Sequence, residues 1–214
     1  MKFEFTRMKE KSIVIVAALV LFIGTLSGAS LLCAHEMEDA SQGLYLGLTL
    51  MGSSLHADDT IDEIFTVEDD GGGAMFQLGY HFTPTFALEL SLGGAVHETN
   101  VQELDVDLGL AQIFAVYRFA PGQQFRPYIK GGVGGYGLTF DGNGADVTAK
   151  GGGLAFGGGF SYFFTSHFAL GIDFTHNIIR YDQIELSFDD ITLGTEIEEE
   201  GSMSSLGLSF SYFF

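Results

Sequence analysis

Apolar residues along most of this chain alternate one by one and do not recur every three or four positions. In the final stretch, SSLGLSFSYFF, Leu206, Leu208, Phe210, Tyr212 and Phe214 share one face, and Ser205, Gly207, Ser209 and Ser211 share the other. FALELSLGG sets Phe86, Leu88, Leu90 and Leu92 against Ala87, Glu89, Ser91 and Gly93. FALGIDFTH and GLYLGLTLMG behave in the same way. A period of two is the mark of a strand with two unlike faces. It predicts eight strands, over residues 43–52, 73–82, 86–97, 106–119, 126–139, 153–164, 168–182 and 203–214. Three connections are short (TPT, APGQQF, TSH), and they alternate with four longer ones at 53–72, 98–105, 140–152 and 183–202. Strands four and five fit less cleanly. Gln112 and Arg118 share a face with Leu110, Phe114 and Val116, and Lys130 shares one with glycines and Tyr136, so a bulge in either strand fits the pattern as well.

The two faces differ in a way that decides the solvent. The less apolar face is Ser, Gly, Ala and Thr with single charges. It is a poor surface for water but a good filling for a narrow barrel, because eight strands leave a lumen barely wide enough for side chains. The continuous Leu/Phe face then points outward into lipid. Hydrocarbon offers backbone groups no partners, so a spanning sheet has to close on itself. The expected fold is therefore all-β: an eight-stranded antiparallel up-and-down transmembrane β-barrel. A charge facing lipid is costly, so Glu89 and Asp173 are expected inside. Buried charges need partners, and Arg118 and Lys130 are the natural ones. Glu89, Arg118, Lys130 and Asp173 are the expected lumen network, and His81 and His97 are expected to face the same space.

Composition explains how one chain is both acidic and apolar. Its 214 residues hold 28 acids against 9 Lys and Arg, a net charge of −19, yet 46% are hydrophobic. The acids are segregated. Asp58, Asp59, Asp62, Glu63, Glu68, Asp69 and Asp70 crowd the first long connection. Glu185, Asp189, Asp190, Glu196, Glu198, Glu199 and Glu200 crowd the last. Long connections are expected outside the cell and short turns in the periplasm. Such acidity excludes nucleic acid as a partner. Clustered carboxylates also suit Ca²⁺ or another divalent cation, but no Asp-x-Asp-x-Asp-Gly loop is present, and solvated, self-repelling loops are the plainer reading.

At the start, Lys9 and Lys11 precede an apolar run from Ile13 to about Leu26 and then small residues, the layout of a secretory signal peptide. Cleavage fits after Ala29 or Ala34. The acidic HEMEDA favours the later point, giving residues 1–34 as a cleaved signal and 35–214 as the barrel domain. Cys33 follows Leu32 where a lipoprotein site wants a small residue, so lipidation is not expected.

One stretch occurs twice. Tyr80, Phe82, Thr83, Phe86, Ala87 and Leu88 match Tyr162, Phe164, Thr165, Phe168, Ala169 and Leu170 at a constant offset (168 − 86 = 82). The repeat reads as two uses of one hairpin, with the aromatics at the inner membrane–water interface.

RPYIKGGVGGYG, FTSHFALGIDF and the terminal LGLSFSYFF resemble the eight-stranded outer-membrane β-barrel domain family, the kind related to the barrels of OmpA, OmpX, OmpW and the opacity proteins. The resemblance covers about residues 41–214. It implies the outer membrane of a Gram-negative bacterium, contact with its lipid and lipopolysaccharide, and a monomer without cofactor or metal. It also implies that Phe210, Tyr212 and Phe214 form the signal read by the outer-membrane assembly machinery. Ser209 stands at that signal's usual glycine position, and the chain lacks Trp for an interface belt. The expected function is a structural or surface-interaction role with a filled, non-enzymatic lumen. An alternative is a narrow OmpW-like channel for small solutes. A lipid A-modifying enzyme is the third reading: His176 lies in THNIIRYD, with no serine following in a recognisable constellation. GVGGYG (132–137) matches G-x-G-x-x-G, but a strand continues through it where a dinucleotide site needs a helix.

Overall fold

The computed structural model describes residues 42–57, 67–99, 105–142, 145–188 and 191–214. The expected signal segment and Asp58, Asp59, Asp62, Glu63, Asp189 and Asp190 lie outside the described residues. The strands are β1 (Gly43–Ala57), β2 (Val67–His81), β3 (Phe86–Thr99), β4 (Asp105–Arg118), β5 (Phe125–Gly142), β6 (Ala145–Phe163), β7 (Phe168–Phe188) and β8 (Ile191–Phe213). Each pairs antiparallel with its neighbour in sequence, and β8 pairs with β1 to close the barrel. Every backbone group along the wall thus has a ladder to join, the condition that a surface facing hydrocarbon imposes.

The stagger can be read from the pairing. From Leu44 the paired residues run through Tyr80, Leu88, Ala115, Gly131, Phe156, His176 and Ser204 and return to β1 at Ser54, ten residues further along (54 − 44). Such a stagger tilts the strands and fixes a narrow interior.

Face assignment follows the alternation. Leu44, Leu50, Leu88, Leu90, Leu92, Ile172, Phe174, Leu206 and Leu208 lie on the exposed exterior. Tyr45, Thr49, Met51, Ala87, Glu89, Ser91, Ala169, Asp173 and Thr175 are buried in the lumen. In strand four the structure puts Leu110, Gln112, Phe114, Val116 and Arg118 inside and Ile113 and Tyr117 outside. Registers of β4 with β3 and with β5 run without interruption, so neither strand needs a bulge there. Irregularities fall elsewhere: between Val67 and Gly71 in β2, between Lys150 and Gly151 in β6, and between Tyr181 and Gln183 in β7.

The long connections are shorter than the sequence pattern implies. Most of 140–152 and 183–202 is strand: β5 and β6 pair out to Gly142–Ala145, and β7 and β8 pair out to Phe188–Ile191. The physical reason is that alternation of apolar and polar residues reports one face in lipid only while the phase is kept. Further out the alternation goes on through Ile184, Leu186 and Phe188, but the irregularity between Tyr181 and Gln183 puts it out of phase with Ile172, Phe174 and Ile178, so one continuous strand does not read as one.

The repeated hairpin is one turn used twice. Phe82 N donates to Phe86 O at 3.0 Å, and Phe164 N to Phe168 O at 3.0 Å. The Thr83 hydroxyl accepts from Phe86 N at 3.0 Å, and that of Thr165 from Phe168 N at 3.0 Å. Each threonine holds the following strand's first amide, so both turns are pinned by the same side chain.

The lumen as the candidate functional site

Every strand that descends to the short turns ends in Tyr-x-Phe: Tyr80-His81-Phe82, Tyr117-Arg118-Phe119, Tyr162-Phe163-Phe164 and Tyr212-Phe213-Phe214. In each, the outer rings meet edge to face, at 5.1, 5.1, 5.0 and 5.1 Å in that order. These rings form an aromatic collar at the short-turn end. The middle residue of each triplet points inward. Phe213 packs on Phe163 at 4.9 Å and on His81 at 5.8 Å, and the Arg118 guanidinium lies 5.5 Å from its ring. Arg126 sits 4.0 Å over Phe163 and donates to the Gln123 carbonyl at 2.7 Å. One triplet thus builds both the collar outside and a plug across the mouth.

Above the plug lies a polar layer that contains all four expected network residues. Lys130 Nζ and Asp173 Oδ1 form an ion pair at 2.8 Å, with both side chains almost wholly buried. Asp173 also accepts from the Tyr128 hydroxyl at 2.5 Å and from Thr175 at 3.0 Å. Glu89 accepts from the Tyr45 hydroxyl at 2.6 Å and from Ser91 at 3.1 Å. Glu89 and Arg118 do not close an ion pair of their own. Arg118 instead faces the rings of Tyr45 and Tyr128, 5.4 Å from each, and bonds Ser161 at 3.4 Å. The guanidinium therefore touches both tyrosines that hold the carboxylates, and the four residues join through Tyr45 and Tyr128.

Those two tyrosines are what the sequence reading missed. Tyr45 pairs with Gly79, and Gly79 with Glu89; Tyr128 pairs with Gly159, and Gly159 with Asp173. A phenol ring crosses the intervening strand only where that strand carries no side chain. A Cβ on Gly79 would run into the Tyr45 ring, and one on Gly159 would run into the Ile172 carbonyl oxygen and lie 2.9 Å from the Tyr128 oxygen. The same Tyr–Gly–acid bridge thus occurs on opposite walls, β1–β2–β3 and β5–β6–β7. In each the acid is followed two positions later by a hydroxyl residue (Glu89 and Ser91, Asp173 and Thr175). The sequence trace was present, but the residues become neighbours only across three strands.

Higher in the same layer, Gln112 donates to Asn177 Oδ1 at 2.6 Å and to the Tyr136 hydroxyl at 3.0 Å. His97 is fully buried, with Ser53 Oγ 3.1 Å from its Nε2, and His81 lies in the plug. An interior cavity of about 20 Å³, room for one water, is lined by Thr49, Gln77, Ser91, Gln112, Lys130 and Asp173 among others. Beyond it a second apolar cluster of Met51, Leu55, Met75, Leu108, Leu110, Leu138, Ile179, Tyr181 and Met203 fills the outer half of the lumen. Polar residues are thus held between two apolar layers. His176 is on the exterior, its ring 5.2 Å from Phe156 and its Nδ1 2.9 Å from Ser204 Oγ. Strand pairing supplies this serine from β8, which sequence proximity could not reveal. The glycines of GVGGYG lie within β5, where Gly132 and Gly134 face inward and Gly135 faces outward with nothing near its Cβ position.

Two measurements check this construction. Lys130→Met leaves Asp173 buried and unpaired and is expected to cost about 3–5 kcal/mol. Adding Asp173→Leu to it should restore most of that loss, read by urea unfolding in lipid vesicles. Gly159→Ala should cost about 1–3 kcal/mol by crowding the Ile172 carbonyl and displacing Tyr128, whereas Gly135→Ala, on the open exterior, should change stability by less than about 0.5 kcal/mol.

The architecture has known counterparts. The structure of Neisserial surface protein A is similar, with a TM-score of 0.58 at 16% identity, covering 80% of this chain and 97% of that one. The outer membrane protein OprG from Pseudomonas aeruginosa is similar with a TM-score of 0.59 at 14% identity, covering 84% of this chain and 99% of that one. No curated protein matches the chain in sequence. The family model described as "Outer membrane protein beta-barrel domain" matches residues 24–214. With its apolar exterior and closed eight-stranded wall, the chain belongs to this outer membrane β-barrel family and is an integral protein of the Gram-negative outer membrane.

Proposed function

We propose that the protein is a non-conducting outer-membrane barrel with a structural or surface-interaction role and no catalytic site. The observation that carries this reading is the layered lumen. The His81–Phe163–Phe213–Arg118 plug, the Lys130–Asp173 layer and the Met51–Leu108–Met203 cluster lie in series along the axis. A narrow OmpW-like route for solutes would have to displace all three. Breaking the ion pair alone strands a buried charge, at a cost of several kcal/mol. The refolded protein in a planar bilayer should therefore give no discrete current steps at moderate voltage. Reproducible single-channel openings would overturn the closed-lumen reading.

His176 and Ser204 favour a second reading, an esterase acting on outer-leaflet lipid. A base within hydrogen-bond reach of a hydroxyl is the minimum for an activated nucleophile. Against it, no carboxylate among the described residues is hydrogen-bonded to the His176 ring to orient it. Fatty-acid release from lipid A, abolished by Ser204→Ala, would establish this reading; no release from the wild type rejects it.

The partners in this proposal are outer-membrane lipid, lipopolysaccharide and the assembly machinery, with the barrel as a monomer. Phe210, Tyr212 and Phe214 end the chain on the exterior face of β8, and Tyr212 and Phe214 are one of the four collar pairs. Phe214→Ala should lower the amount of assembled barrel in outer membranes several-fold while the purified variant still refolds in detergent. Equal levels of the two proteins in outer membranes would remove the assembly role.

A further inference from the structure

Five of the nine Lys and Arg residues follow the expected signal segment. Arg118, Arg126 and Lys130 are buried in the lumen, whereas Lys150 and Arg180 are exposed. Parity puts both exposed bases on the outer wall, because their neighbours Ala149 and Ile179 are buried inside. Gly152 is the ladder partner of Arg180, and Lys150 is the next outward residue on the same strand. The two bases are thus diagonal neighbours, a spacing that long side chains span. Arg180 lies 12 residues above Phe168 (180 − 168), and Lys150 lies 14 above Phe164 (164 − 150). At ~3.3 Å per residue and a tilt of ~40° these are heights of about 30 and 35 Å above the aromatic collar. The apolar band of such a barrel is about 25 Å tall, so the bases stand at its outer rim.

Beside them the wall is bare backbone. Lys150 pairs with Gly137 and Gly152 with Gly135, and Gly137 pairs in turn with Gly109 of β4. A Cβ at Gly135 or Gly137 would meet nothing within 4 Å. The lower edge of this shelf is apolar, with Val133, Leu154 and Ile178 exposed. Its upper edge is Thr139 and Thr148, whose hydroxyls lie 3.3 Å apart. No acid occurs from Ile129 to Thr139 or from Thr148 to Leu154. The next on these strands, Asp141 and Asp146, pair with each other further out, and the exposed Asp107, Asp182 and Glu200 stand to either side on β4, β7 and β8.

These features select an occupant that is hydrocarbon below, anionic above and too broad for a wall studded with side chains. Lys and Arg both bind phosphate, threonines bond sugar hydroxyls, and glycine lets a flat group come close to the backbone. In a chain of net charge −19, the two exposed bases are also where an anionic leaflet can be met by opposite charge. We propose that the glycine shelf of β5 and β6, with Lys150 and Arg180 beside it, holds one lipid A molecule of the outer leaflet by its phosphorylated sugar. This rests on the lipopolysaccharide contact proposed above and names its site.

The test uses the full barrel in phosphatidylcholine nanodiscs doped with bisphosphorylated lipid A, its dephosphorylated form or phosphatidylglycerol. Lipid retained on each barrel is counted by native mass spectrometry. Bisphosphorylated lipid A is expected to bind at least about tenfold more tightly than the other two, because each base adds to the attraction for phosphate. Lys150→Gln with Arg180→Gln should remove that preference. Gly135→Leu with Gly137→Leu keeps both charges but fills the shelf, and should weaken lipid A to a similar extent. Gel mobility before and after boiling reports that each variant is folded. Equal retention of phosphatidylglycerol would mean attraction to any anionic lipid and overturn the proposal. So would displacement by inorganic phosphate, undiminished binding to the filled shelf, or equal retention of dephosphorylated lipid A by the wild type, a comparison that needs no variant. None of these failures bears on the bilayer current or on fatty-acid release, so a silent barrel that ignores lipid A loses the shelf and keeps the closed lumen.

Discussion

Hydrocarbon cannot hydrogen-bond to a peptide group, and everything else in this molecule depends on that. A wall exposed to lipid is viable only if each strand has two partners, so β8 must return to β1 and the sheet must close. Closure then converts the parity of a strand into geography. Even-numbered residues of β1 face lipid and odd-numbered ones face a lumen whose width is set by eight strands and their stagger. A one-residue slip would expose Glu89 and Asp173 to hydrocarbon and bury Leu88 and Ile172. The register is therefore specified by two penalties acting in the same direction.

A lumen of fixed width has to be filled without strain, and the chain does so with two recurring devices. The Tyr-x-Phe triplet serves opposite sides of the wall. Its outer rings sit where one end of an aromatic is apolar and the other wet, and its middle residue closes the mouth. The Tyr–Gly–acid bridge lets a large ring lie across a strand that lacks a side chain at that point, bringing a phenol donor to a buried carboxylate. The bridges on facing walls share Arg118, whose charge lies against both rings. Asp173 has Lys130, a phenol and an aliphatic hydroxyl, and Glu89 has a phenol and an aliphatic hydroxyl, the partners that buried carboxylates require.

Where the sequence was legible follows from the same physics. Alternation in β1, β3, β7 and β8 identified which side chains face out, because one side of each strand lies in lipid. Strand four was ambiguous: Leu110, Phe114 and Val116 belong to the apolar layers inside, so both of its faces are apolar and parity has no contrast. The outer reaches of β7 and β8 read as a loop in sequence, because the irregularity beside Asp182 shifts their phase against the segments below and acids crowd them. Glu89, Arg118, Lys130 and Asp173 could be named from their parity and charge, but not their wiring. Tyr45 and Tyr128 meet their acids across an intervening glycine strand, and His176 meets Ser204 across a strand pair. Such contacts are set by register, which a single sequence does not print.

The order of the layers also bears on where function can lie. The ion pair sits between an aromatic plug and a Met/Leu cluster, so water reaches it only as far as a one-molecule cavity allows. Low local polarity strengthens each charge-assisted bond there and raises the cost of leaving any one unmade. A centre of that kind resists being opened in part. The lumen therefore acts as a core, rigid and self-satisfied, and chemistry with an outside partner has to occur where backbone or charge is left over. In this chain the charge left over is at the outer end, where the acids collect.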